Sequence, residues 1–343
     1  MNRRTPRAAK PALTPYDVNR SILFPFHSGP QSKGFVFKSA ALYGFITTLL
    51  LFVFGKWIFG PFIEFFNYFG TLEAEAAEPT ASEFLQMFAI MGKIMLPLML
   101  LSIVSWIIMA IIQAAFYRRV FRGENETYPW RFGRDEVTVM LSQLVLGGIF
   151  LALMSVVYIV VIGLFLALGL GAQDGDVNGG LAALFGILMF VGFIAFFVLL
   201  VYLAIRLSPM APLSVLRNKL SIKETWQVTQ GRFWPVLLSF VIVIVLASII
   251  NYIVQIIMMI GIFGSAGSII GELEGMENED SEAVMDVIMA AITQPSFLIV
   301  LAVVVFLYTT VQAGVRLLYS GVVANAVDLY RQDLGETDLE VFD

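Results

Sequence analysis

The 343-residue sequence contains no cysteine and a single histidine, His27. Without cysteine there is no disulfide framework, no thiolate metal site and no cysteine nucleophile. One imidazole does not build a histidine-based metal cluster, and His27 falls in a polar arm, where it reads as an ordinary surface residue. Charge is also scarce: 14% of residues are charged, against about 25% in an ordinary soluble domain. No GxGxxG, GxxxxGK[ST], HExxH or GxSxG occurs, so no nucleotide cradle, zinc-protease helix or nucleophile elbow is expected. No catalytic, cofactor-binding or metal-binding residue stands out.

What is abundant is apolar. Hydrophobic residues make up 59% of the chain, where about 45–50% is usual, and mean hydropathy is +0.85. That balance excludes a soluble globular enzyme, a disordered chain and a nucleic-acid binder. A bilayer core about 30 Å thick needs roughly 20 apolar residues per helix. Six runs meet that need, at about 37–57, 94–116, 140–168, 181–205, 234–260 and 297–319. They are continuously apolar rather than alternating, and lipid admits only helices or closed barrels. The expected fold is therefore all-α: a polytopic bundle of six transmembrane helices with interfacial amphipathic helices. Three parts follow: a basic arm over 1–34, a six-span domain over 35–331, and an acidic tail over 332–343 that is expected to be disordered. The first run lacks a small-x-small cleavage site and is read as a retained span.

Lysine and arginine set the orientation. The arm carries Arg3, Arg4, Arg7, Lys10, Arg20 and Lys33. The loop after the second span carries Arg118, Arg119, Arg122, Arg131 and Arg134. The loop after the fourth carries Arg206, Arg217, Lys219, Lys223 and Arg232. The alternate loops are acidic instead, with Glu73, Glu75, Asp174, Asp176 and a cluster over 277–282. Both termini are then cytoplasmic. Lys56 and Lys93, at the acidic side, read as interfacial anchors that snorkel to water. Trp57, Trp130, Trp226 and Trp234 form the aromatic belt, and Trp106 reads as packing. A short surface helix is expected over 282–292.

Few polar residues fall within spans. Asn251 and Gln255 lie one turn apart in span five, and Gln312 lies in span six. They are either an intramembrane polar site or inter-helix hydrogen bonds. Gly148 with Ala152, and Ala182 with Gly186, have the spacing that lets helices approach closely. The turn near 171–180 makes spans three and four an antiparallel hairpin.

The most informative stretch is 202–236. Ser221 and Glu224 have the spacing of a capping box, Gly231 suits a left-handed C-cap, and Arg232 is placed to meet lipid phosphates. Val215, Leu216, Leu220, Ile222 and Trp226 give the segment an amphipathic pattern for the interface. A weaker echo, with Trp130, Asp135 and Glu136, precedes span three. The constellation Arg206, Pro209, Pro212, Glu224, Trp226, Thr229, Gly231, Arg232 and Phe233 resembles the membrane domain of bacterial glycerophosphodiester phosphodiesterases and related stand-alone multi-spanning proteins of unknown function. The resemblance covers about 200–330. In those enzymes a soluble catalytic barrel follows the membrane domain. Here only 331–343 follow, so the hydrolase activity is not carried over. The expected role is that of a non-enzymatic integral membrane protein of the bacterial cytoplasmic (inner) membrane without a cofactor, an accessory or organising component that contacts membrane lipids or a membrane protein partner. The alternative is a small transporter or channel using a polar face of spans five and six.

Overall fold

A computed structural model describes residues 13–28, 32–75, 80–124, 131–173, 179–274 and 294–336. Every regular element among them is a helix: α1 (Val18–His27), α2 (Ser32–Glu75), α3 (Ala81–Arg122), α4 (Arg134–Gln173), α5 (Gly179–Leu207), α6 (Met210–Leu216), α7 (Ile222–Val228), α8 (Phe233–Glu274) and α9 (Pro295–Asp333). Six are long and apolar enough to cross a membrane, so the chain is an all-α, multi-pass membrane protein. The helices outrun the expected spans. α2 has 44 residues, or about 66 Å at 1.5 Å per residue, against a hydrocarbon core of about 30 Å. The excess lies mainly toward the acidic ends.

The core is concentrated at the opposite, basic ends. Val36, Ala40 and Tyr43 of α2 are buried against Ile112, Ala115 and Phe116 of α3 and Leu317, Ala324 and Val327 of α9. α9 is the hub, packing on α2, α8 and α1. Two glycine-bearing contacts set its closeness. A methyl on Gly44 would overlap the Thr310 hydroxyl, and one on Gly321 would overlap the Pro25 ring. Gly148 and Gly186, the small residues expected to seat a helix neighbour, have open space instead. The reason is that α4 and α5 touch each other little and present most of their apolar side chains outward.

The stretch between spans four and five divides in two. α6 was expected along the interface, yet Met210, Pro212, Leu213, Ser214, Val215 and Leu216 are all buried, wedged among α3, α4 and α9. The sequence MAPLSVL has no polar face to offer water, so burial is its favourable course. α7 does keep the amphipathic arrangement: Thr225 and Val228 point inward, while Ile222 and Trp226 are each 42% exposed. Its expected capping box is absent. The Ser221 side chain caps nothing; its hydroxyl donates to the Lys219 carbonyl, and Glu224 is drawn to Arg217. A capping box forms instead at α3, where the Glu83 amide donates to Thr80 Oγ1 and the Thr80 amide donates to Glu83 Oε2.

The arm is not a free tail from residue 13 onward. Asp17 caps α1 by accepting from the Asn19 and Arg20 amides at 2.9 and 3.2 Å, and Ile22 and Phe24 join the core. His27 is exposed, its Nδ1 3.0 Å from the Leu23 carbonyl. The tail likewise begins ordered: Asp333 and Glu336 are both held in ion pairs. Arg3 to Lys10, Trp130, the turn at 174–178, the acidic cluster at 277–282 and the helix expected over 282–292 lie outside the described residues, as do residues 337–343 and the side chains of Lys56 and Ala182. Lys93 pairs with Glu64 at 2.7 Å, linking α3 to α2.

Candidate functional site

The basic end gathers the charged and aromatic residues of five chain segments. Arg206, at the end of α5, lies in a cage of three rings. Its guanidinium carbon is 5.1 Å from the Trp226 ring centre, 5.3 Å from Tyr202 and 5.5 Å from Phe233. Tyr202 precedes Arg206 by one helical turn on the same face. α7 supplies Trp226, and its C-cap residue Thr229 has a hydroxyl that accepts from Arg206 Nη1 at 3.1 Å. Gly231 then turns the chain with φ +81, where a side chain would also collide with Leu13. That turn sets Phe233 at the start of α8, with its ring 5.3 Å from Tyr202. Pro209 precedes α6, and Pro212 is buried within it. Thus Arg206, Trp226, Thr229 and Phe233 meet at one point, a distance the spacing alone did not specify.

Arg232 is not presented to lipid. It is buried, paired to Asp333 at 2.6 Å and donating to the Thr14 carbonyl at 2.8 Å. The Thr14 amide in turn donates to Asp333 Oδ1 at 2.8 Å. One arginine thus ties the arm, α8 and α9 together, because a buried cation must find its counter-charge locally. A second clamp joins α3 to α4. Arg118 and Glu136, both buried, form a close ion pair, and Arg122 grips both Asp135 oxygens at 2.7 and 3.0 Å. A third involves Arg217, which pairs with Glu224 at 3.2 Å and with both Glu336 oxygens at 3.1 and 2.9 Å. Partial burial works against the Arg217 charge, but Glu336 and Glu224 outweigh it and hold the guanidinium above its ordinary range. Burial also pushes the Tyr16 phenol up, against its hydrogen bonds with Ser21 and Ser239, which act the other way.

Deeper in the bundle, polar side chains form two separate sets. In the first, Gln312 Nε2 donates to Asn251 Oδ1 at 2.8 Å, joining α9 to α8. Gln255, one helical turn further along α8, is exposed. The second was missed in the sequence. Trp106 Nε1 donates to Gln143 Oε1, Gln143 Nε2 donates to Gln113 Oε1, and Gln113 Nε2 donates to Ser320 Oγ. This chain crosses from α4 to α3 to α9, so Trp106 is a polar partner as well as a packing residue. Gln113, Gln143 and Ser320 border a cavity of 180 Å³ that Tyr117, Ser208 and Tyr319 also line. The available signal was a lone glutamine inside each of two apolar runs. Both sit close to span ends, where an interfacial position is an equally good account.

No family model matches the chain, and no curated protein or solved structure matches it.

Proposed function

We propose that the chain is a non-enzymatic protein of the bacterial cytoplasmic membrane, basic end inward, that acts as an accessory or organising component by contacting lipids or a membrane protein partner. The observation that carries this reading is the division of the molecule. At the basic end the cations Arg118, Arg122, Arg217 and Arg232 are engaged in internal ion pairs that lock the arm, the tail and four helices together. A rigid end of that kind supports an organising role. Beyond it, α4 and α5 offer long apolar faces that no other helix among the described residues covers, with Ile159, Phe190 and Phe193 among the exposed residues. Faces of that kind suit contacts made within the membrane.

The orientation rests on the lysine and arginine loops. Asn251 and Gln312 are engaged with each other across α8 and α9, which favours a helix-joining role for that pair over a conduit. Native mass spectrometry of the protein extracted from its own membrane in lipid nanodiscs tests the reading. The expected result is a reproducible lipid or protein companion at fixed stoichiometry. A bare protein that moves solute in a flux assay would overturn it.

A further inference from the structure

We propose that the bundle holds a binding site for a neutral, hydroxyl-bearing lipid of the diacylglycerol class, its head in the polar cavity among α3, α4, α6, α8 and α9 and an acyl chain running along α4 toward the groove between α4 and α5. This deepens the lipid-contacting reading given above and rests on it. The polar cavity is lined by Gln113, Tyr117, Gln143, Ser208, Tyr319 and Ser320 with apolar neighbours; among the described residues none of its lining groups is acidic or basic. A charged headgroup placed there would lack a counter-charge, which is costly away from water. A hydroxyl or ester is well served. Each glutamine amide has two N–H donors, and the Trp106–Gln143–Gln113–Ser320 chain uses one from each.

A second cavity of 370 Å³ lies between α4 and α5. Its lining, which includes Val156, Val160, Phe185, Met189 and Phe193, is almost wholly apolar. The two are stacked along α4. Leu146 borders the polar cavity and Val156 the apolar one, which at 1.5 Å per residue is about 15 Å, half of a hydrocarbon core of about 30 Å. One acyl chain, about half the core in length, spans that distance and reaches the near edge of the groove. The polar cavity also lies at a matching depth. Gln113 is about 7.5 Å along α3 from Arg118, and Ser142 about 12 Å along α4 from Arg134. Those distances place a small uncharged head just inside the basic end. A phospholipid's phosphate would have to leave the arginine-rich rim to enter.

The test uses the full-length protein in nanodiscs containing phosphatidylethanolamine, phosphatidylglycerol and dioleoylglycerol at equal mole fraction. Native mass spectrometry reads the lipid retained on release. Wild type is expected to hold dioleoylglycerol at least about tenfold over either phospholipid. Gln143→Leu removes the head's partner, and Gly192→Phe fills the groove. Each is expected to lower retention about tenfold, roughly the value of one strong polar contact or a blocked chain. Gly192→Phe guards against a misfolded glutamine variant, because a Cβ at that position meets nothing within 4 Å. Equal retention of all three lipids, or unchanged retention in both variants, would overturn the proposal. A fixed protein companion without any neutral-lipid preference would overturn it too, while leaving the organising reading intact. Preferential binding followed by chemical conversion of the dioleoylglycerol would sustain the site and defeat the non-enzymatic reading instead.

Discussion

Removing the Glu136 carboxylate isolates the energetics of the basic end. Arg118 and Glu136 each have side chains only 1% exposed, and Glu136 also accepts from the Gly133 amide at 2.8 Å. Breaking a buried pair on one side costs about 3–5 kcal/mol, because the remaining charge is stranded. Here Arg118 keeps Glu124 at 3.1 Å and Asp135 at 4.0 Å. Glu136→Ala should therefore fall near the lower end, about 3 kcal/mol. Glu136→Gln keeps an acceptor for Arg118 and should cost less, about 1–2 kcal/mol. The pair Arg118→Met with Glu136→Leu exchanges the ions for apolar volume, and such exchanges are often neutral or stabilising. It should recover most of the loss. Reversible unfolding in mixed detergent and dodecyl sulfate micelles, followed by tryptophan fluorescence, supplies the free energies. If Glu136→Ala lies within 1 kcal/mol of wild type, or the double exchange is worse than the single, the buried-charge argument fails.

Three further outcomes follow from the packing. Gly44→Ala should destabilise by about 1–3 kcal/mol, as overpacking does, because its methyl meets Thr310; Gly148→Ala should be neutral or slightly stabilising by virtue of helix propensity. Opposite ordering in the same unfolding assay would contradict the close α2–α9 contact. Asn251→Leu alone should cost about 0.6–2 kcal/mol by stranding Gln312 between the helices, and adding Gln312→Leu should restore part of it; a double-mutant cycle with no coupling would show that the bond is absent. The Tyr16 phenol is raised by burial, so the folded state binds its proton more tightly than the unfolded chain. That contribution is complete below the ordinary phenol value of about 10 and is lost as pH rises through the higher folded value. Alkaline difference absorbance of wild type against Tyr16→Phe should show one late-ionising phenol; ionisation at or below the ordinary value would refute its burial.

The sequence by itself determined the membrane class, the six spans and the charge asymmetry of the loops. Those depend on composition over windows of about 20 residues and on which loops hold lysine and arginine, and neither needs a neighbour to be known. It also carried Gly231, since a left-handed turn is a local backbone demand. Tertiary structure decided the partners. Whether Arg232 faces lipid or Asp333, a hundred residues downstream in sequence, is a question of which helix ends converge. So is whether MAPLSVL lies on the membrane surface or is swallowed by α3, α4 and α9. Gln113 and Gln143 show the same limit. Each alone is an unremarked polar residue near a span end, and only the crossing of α3, α4 and α9 makes them one hydrogen-bonded chain beside a cavity. Hydropathy is a sum along the chain, whereas a site is a coincidence in space, and long-range pairing alone brings its members within bonding distance.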